Sequence, residues 1–292
     1  MTRLPAWMRT SLRTDDRFVA VHEVLRCGGL HTVCQSARCP NRGECWNSGT
    51  ATFMILGETC TRDCRFCAVA TGRPAPPDPG EPGRVAEAAR EMALRHVVVT
   101  SVTRDDLPDG GASVFAGTIG AIRRALPGAT VEVLTPDFRG MTAALDAVLA
   151  ARPEVFAHNL ETVRRLQPAV RPQASYERSL DVLRHAARAG DEVVVKSGLM
   201  LGLGESDAEI EEAMRDLFSA GCALLTLGQY LAPSPAHAPV ERFVDPAAFE
   251  RYAEQARAIG FPGVASAPLV RSSYRAAELL EAARAAHVPP AK

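Results

Sequence analysis

Thr52-Phe53-Met54-Ile55-Leu56-Gly57-Glu58-Thr59-Cys60-Thr61-Arg62-Asp63-Cys64-Arg65-Phe66-Cys67 joins an apolar run to three thiols within eight residues. The run from Thr52 to Leu56, stopped by Gly57, has the length of a buried strand. A zinc knuckle wants a fourth ligand close by, and this stretch offers none. Three thiolates on a tight loop suit a [4Fe–4S] cube better, with three irons held and the fourth open to a group that is not protein.

Downstream, short apolar runs alternate with helical periods. The further strand candidates are His96–Val102, Thr130–Leu134, Val155–Asn159, Glu192–Met200 and Leu224–Tyr230, and Gly263 to Val270 offers one more. Between them Val85, Ala88, Ala89 and Met92 share one helix face, as do Leu180, Leu183 and Ala187. Ser206 to Glu209 is a capping box, Asp245-Pro246 reads as an N-cap followed by Pro at N1, and Gly190 and Gly260 are helix stops. Nearly continuous apolar strands separated by helices predict a parallel sheet covered by helices, an α/β barrel-like fold. The prolines at 74, 76, 77, 79 and 82 predict a stiff surface connector after Cys67.

Ligands of parallel α/β folds bind where the strands end. Here the ends carry Cys60, Cys64 and Cys67; Thr100-Ser101 with Arg104-Asp105-Asp106; Thr135-Pro136-Asp137; His158-Asn159 with Glu161; and Gly228-Gln229-Tyr230, while the fifth strand contains Lys196-Ser197-Gly198. Any single Ser, Asn or Asp among them could equally cap a helix. Gly198 to Glu205 is glycine-rich but lacks the dinucleotide order and a Walker lysine, so it is either a close approach to a cofactor or a turn. Asp109-Gly110-Gly111 reads as a turn opening a helix.

A chain of 292 residues, 47% hydrophobic, can bury one large core, and a net charge of -1 with mixed signs gives no footprint for nucleic acid or an anionic membrane. The start Met1 to Trp7 lacks an apolar signal core and no run is long enough to span a bilayer, so a cytoplasmic, soluble enzyme is expected. Residues 1–25, with Trp7 and Phe18, read as an arm docked on the body. In a reducing compartment eight cysteines are not expected to pair as disulfides, and six fall in two groups. The second is Cys34, Cys39 and Cys45, spaced C-x4-C-x5-C on a loop enforced by Pro40, Asn41 and Gly43. Cys27 and Cys222 are assigned to packing.

The C-x3-C-x2-C spacing of Cys60, Cys64 and Cys67 resembles the radical S-adenosylmethionine superfamily. The second cysteine group, Gly49 to Gly57, Thr100 to Ala112, His158 to Thr162, Lys196 to Met200 and Arg271-Ser272-Ser273-Tyr274 resemble the lipoyl synthase family within it. The resemblance runs from about Leu30 to Ala276 with the motifs in order. It implies a partial (β/α)6 TIM-type barrel over residues 52–260. A 1–51 extension would carry the auxiliary-cluster cysteines, and a 261–292 extension the Arg-Ser-Ser-Tyr motif. It also implies two [4Fe–4S] clusters and S-adenosylmethionine, with two sulfurs inserted at C6 and C8 of an octanoyl group on a lipoyl carrier protein or domain. The implied partners are that carrier, reduced ferredoxin or flavodoxin as electron donor, and an iron–sulfur carrier. Cys60, Cys64 and Cys67 would hold the radical cluster. Cys34, Cys39, Cys45 and Ser273 would hold the auxiliary cluster that donates sulfur, with Ser273 a hard, weak ligand for iron. Ser273 and Arg271 are thereby catalytic candidates, although Arg271 could serve a structural ion pair and either serine a helix cap. Phe66, Thr100, Ser101, Asn159, Lys196 and Gln229 are candidates for contact with S-adenosylmethionine, from strand-end position and superfamily likeness.

The chain departs from the family pattern at Gln35-Ser36, Ala157, Gln173 and Ala232, which bears on carrier contacts rather than on the cluster ligands. Three other readings stay open. A four-thiolate zinc site built from both groups leaves two thiols without a role. A biotin synthase-like enzyme would not need the Cys34 group or the tail. An electron-transfer or cluster-scaffold protein would not need the polar strand ends.

Overall fold

Val97, Val98 and Val99 are all buried, because both faces of their strand are covered. The same holds for the central strands of the sheet, in a computed structural model that describes residues 4–8, 15–47, 50–190 and 192–287. The first three residues, Gly49 and the last five residues of the tail extension lie outside the described residues. The strands are β1 (His31–Thr32), β2 (Thr52–Ile55), β3 (Thr59–Cys60), β4 (Ala70–Thr71), β5 (His96–Ser101), β6 (Thr130–Leu134), β7 (Val155–Ala157), β8 (Val194–Leu201), β9 (Leu224–Gln229) and β10 (Gly263–Ser266). Eight form one open sheet in the order β1-β2-β5-β6-β7-β8-β9-β10, parallel throughout except where β1 runs antiparallel to β2. The expected six strands are present within a residue or two of their predicted ends. The late candidate is a seventh parallel strand, and β1 is an edge that the sequence did not suggest. β3 and β4 pair separately and close the cysteine loop at its base.

Helices cover the convex side as predicted. Val85, Ala88, Ala89 and Met92 are buried, the capping box at Ser206 is complete, and Asp245 caps the helix Pro246–Ile259, whose stop at Gly260 takes φ 126°. In the helix Tyr176–Ala187 the buried stripe is Leu180, Leu183 and Ala186, with Ala187 only half-buried. Pro82 belongs to the first turn of the helix Glu81–Glu91 and not to the connector, since proline's missing N–H costs nothing there. The arm docks through the helix Asp16–Cys27, whose Phe18 ring lies 4.9 Å from buried Trp46. Cys222 is buried as expected, but Cys27 is exposed at the end of that helix and packs nothing away from water. No helix among the described residues is long and apolar enough to cross a membrane.

Side chains alternate between the two faces of a strand. Phe156 packs with the helical layer while Val155 joins Leu224, Leu279, Leu280 and Ala283, so the last helix (Ala276–His287) lies against the concave face. Glu132 is in register with Val155, and Lys196 with Ala157, which puts both charges on that concave face. Lys196 Nζ donates to Glu132 Oε1 at 2.7 Å with both side chains 1% exposed, and His96 Nε2 lies 3.5 Å from the other carboxylate oxygen.

Candidate active site

The cysteine loop is stitched to the segments that follow β5, β7 and β9. Thr61 N–H donates to Thr103 O, Arg65 N–H to Val170 O, and Ala238 N–H to Arg65 O. Cys60 Sγ accepts from the N–H groups of Arg62 at 3.4 Å and Thr103 at 3.3 Å. Arg62 is 5% exposed and acts as the loop's anchor. Its guanidinium binds Asp105 through two bonds of 2.7 and 2.9 Å and Asp137 at 2.6 Å. Burial would raise the Asp137 pKa, but the hydrogen bond and charge of Arg62 outweigh it and hold the carboxyl well below its usual range. Phe66 packs against Val170, Leu203 and Tyr230.

Burial pushes the Cys67 thiol up to about 11, with Cys64 and Cys60 adding to the rise, and it raises Cys64 as well. Among the described residues, no three His, Cys, Asp or Glu groups close around a point as for a single ion. The thiols of each triplet are nonetheless within electrostatic reach of one another. Soft sulfur donors, partly screened from water and accepting N–H bonds, fit an iron–sulfur cluster.

The second group is assembled from both ends of the chain. Cys34 lies in the short helix Val33–Ser36 capped by Thr32, and Cys45 in the helix Arg42–Asn47. Burial drives Cys45 up to about 12 and raises Cys34, against which the backbone of Thr52 hydrogen-bonds the Cys34 thiol. The hydroxyl of Thr52 donates to Ser273 Oγ at 2.8 Å. The two adjacent serines are therefore divided: Ser273 meets the cysteine group through Thr52, while Ser272 Oγ accepts from Asn159 Nδ2 at 2.6 Å on the strand-end side. Tyr274 OH donates to Glu44, and Arg271 donates to Val270 O within electrostatic reach of Cys39.

Among the strand-end candidates, Ser101 Oγ and Asn159 Oδ1 are buried without a partner, which suits groups awaiting a polar ligand. Thr100 Oγ1 instead donates to Leu134 O at 2.9 Å. Lys196 lies inside β8, not at its end, and its ammonium is held by Glu132. Gln229 spends its amide on the carbonyls of Tyr230 and Arg242 and its oxygen on Val244 N–H, fixing the segment that follows β9. Gly198 makes room between strands, since a Cβ there would stand 2.4 Å from Thr226 Oγ1, and Gly202 and Gly204 take φ of 102° as turn residues.

Sequence reasoning missed two groups. Glu81 caps the N–H of Leu56, whose φ of 68° bends the chain off β2, from the first turn of a helix 25 residues on; acid at a helix start was the available signal. Arg171 binds the carbonyls of Asn159 and Leu160 at 3.2 Å, and its charge opposes the rise that burial imposes on Cys64 and Glu161. His158 is spent on structure, with Nδ1 2.9 Å from Thr135 O and Nε2 3.0 Å from Ser179 Oγ. Burial holds its pKa down to about 4, from 6.5. A depressed histidine leaves the unfolded chain binding the extra proton, so its contribution is full above pH 6.5 and is lost as pH falls toward 4. Urea unfolding of the cluster-free chain should show about 3 kcal/mol of this loss, and His158→Gln should remove that part of the pH dependence.

An open parallel barrel with a C-x3-C-x2-C loop across its strand ends defines a class, and residues 54–217 match the Radical SAM superfamily model. Among solved structures the chain is similar in fold to HydG, a maturase of the [FeFe]-hydrogenase. The TM-score is 0.58 at 18% identity, covering 72% of this chain and 50% of that one. It is similar also to methylornithine synthase (PylB), with TM-score 0.51, 16% identity, and 66% and 56% covered. The chain is 59% identical over 274 residues to the lipoyl synthase of Thermus thermophilus, covering 93% of this chain and 85% of that protein. It is 56% identical over 280 residues to that of Rubrobacter xylanophilus, with 96% and 87% covered. The chain belongs to the lipoyl synthase family.

Proposed function

We propose that this enzyme inserts two sulfur atoms, at C6 and C8, into an octanoyl group carried on a lysine of a lipoyl carrier protein or domain. Bound S-adenosylmethionine and the two [4Fe–4S] clusters supply the radical that removes each hydrogen and the sulfur that replaces it. Cys60, Cys64 and Cys67 hold the first cluster on a loop that Arg62 clamps. Ser101 and Asn159 orient the polar ends of S-adenosylmethionine, and Phe66 lines its apolar side. Cys34, Cys39, Cys45 and Ser273 hold the second cluster. Arg271 supplies positive charge beside Cys39. Reduced ferredoxin or flavodoxin delivers electrons, an iron–sulfur carrier restores the second cluster, and the setting is cytoplasmic.

The observation that carries the reading is Thr52, whose backbone binds Cys34 and whose hydroxyl binds Ser273. It favours Ser273 over Ser272 as the fourth ligand, because Ser272 is engaged by Asn159. The test is anaerobic reconstitution followed by mass spectrometry of an octanoylated carrier after turnover. About eight irons per chain, cleavage of S-adenosylmethionine and two added sulfurs are expected. Zinc in place of iron, with S-adenosylmethionine left intact, would reject the reading.

Ser273→Ala should keep cleavage of S-adenosylmethionine and lower sulfur transfer by about tenfold or more, whereas Ser272→Ala should keep the second cluster. Normal lipoyl yield from Ser273→Ala would remove Ser273 from the ligand set.

A further inference from the structure

Two contacts outside the ligand set hold neighbouring carbonyls of the tail. Leu269 O accepts from Asn41 Nδ2 at 2.7 Å, across 228 residues of sequence; Asn41 is 3% exposed and stands in the loop between Cys39 and Cys45. The next carbonyl, that of Val270, lies on Gly228 in β9. A Cβ at position 228 would stand 2.1 Å from Val270 O and 3.0 Å from its carbonyl carbon. Gly228 is not among the positive-φ residues, so space and not conformation demands glycine there. Ala267 N–H donates to Leu227 O and Gln229 N–H to Pro268 O, which fix the tail's line of approach to β9. Ser273 follows Val270 by three residues.

The physical requirement is one of reach. A ligand set drawn from residue 34 and residue 273 has no local backbone to hold its parts together. A fourth ligand must nevertheless be placed to within about half an ångström. The colliding atom at position 228 is backbone and cannot swing aside. Strand β9 is hydrogen-bonded on both sides, by β8 and β10, so the tail is the part that gives way.

We infer that Gly228 and Asn41 are positioning residues of the second cluster site: the glycine sets the depth at which the tail lies on the barrel, and the asparagine ties it to the cysteine loop. This rests on the assignment of Cys34, Cys39, Cys45 and Ser273 to that site.

The test compares full-length parent, Gly228→Ala and Asn41→Leu after reconstitution, each also in a Cys34→Ala, Cys39→Ala, Cys45→Ala background. The parent should bind about eight irons, and both variants about four. Both variants should keep parental cleavage of S-adenosylmethionine and lose sulfur transfer by about tenfold or more. In the cluster-free chains, amide exchange across residues 267–275 should quicken in both variants. In the triple-alanine background neither substitution should change cleavage.

Parental iron and sulfur transfer in both variants overturns the inference. So does a fall in cleavage of equal size with and without the three cysteines, which would assign both positions to the barrel at large. Should Gly228→Ala fail to fold, Asn41→Leu decides alone, since it adds nothing to the barrel wall. A parent that binds only about four irons overturns the two-cluster reading itself, and the inference with it.

Discussion

In Arg62→Leu protein, urea unfolding of the cluster-free chain is expected to report a loss of about 3–5 kcal/mol, because removing one partner of a buried ion pair strands the other. Two carboxylates depend on this guanidinium. Asp105 is partly exposed and can turn to water, but the Asp137 side chain is fully buried. Arg178 stays 3.1 Å from the other oxygen of Asp137, and Arg139 N–H still donates at 3.0 Å to the oxygen that Arg62 leaves, so part of the charge remains answered and the lower end of that range is expected. The functional consequence is larger than the energetic one. Arg62 sits between Cys60 and Cys64, and its two acids come from the loops after β5 and β6. Without it the loop keeps its backbone bonds to Thr103 and Val170 but loses the clamp that sets the spacing of the thiols. Cleavage of S-adenosylmethionine should fall by about a hundredfold, and Arg62→Lys should recover little, since one ammonium cannot bind both acids in fork geometry. The pH dependence has a definite sign. A carboxyl held below its ordinary pKa stabilises the fold above that value and loses the contribution as the pH falls through the folded one. The parent's advantage over the variant should therefore be full above the ordinary carboxylate range and shrink as the pH falls below it. A variant with parental stability and cleavage would show that the clamp is decorative.

The strands were legible because buried parallel strands are written as apolar runs, and β2 and β5 to β9 each announce themselves that way. Cys60, Cys64 and Cys67 were legible as one group because their spacing is local. What could not be read were contacts joining residues far apart in sequence. Arg62 meets acids 43 and 75 residues away, and nothing in the composition of either loop marks them as its partners. The division of labour between Ser272 and Ser273 was invisible for the same reason, since both are small polar residues before a helix. Strand β1 escaped notice because two residues have no period. Cys27 was misjudged because packing is only the average fate of a cysteine, and the helix period around Val21 and Leu25 already turned it outward.

Lys196 shows where two signals in the sequence point different ways. Position at a strand end made it a ligand candidate, yet a lysine inside Val194-Val195-Lys196-Ser197 and a glutamate inside Thr130-Val131-Glu132-Val133 are both charges in the middle of buried strands. Such charges survive only if paired. Replacing Lys196 by methionine should leave Glu132 buried with only His96 nearby and cost about 3–5 kcal/mol, while the double replacement Glu132→Leu, Lys196→Met should recover most of that loss. In the parent, burial would raise the Glu132 pKa, but Lys196 and His96 reverse the shift. Once the lysine is gone burial prevails, the carboxyl takes a proton in the folded state, and the deficit should shrink as the pH is lowered toward the ordinary carboxylate pKa and grow above it. Binding of S-adenosylmethionine separates this from a ligand role. A lysine that touches the cofactor would, when replaced, weaken binding at parental stability; a lysine that neutralises Glu132 would, when replaced, lower the urea midpoint first, and the double variant would restore binding together with stability. The 2.7 Å bond to Glu132 leaves the ammonium with one partner to answer for, and the second outcome is the one expected.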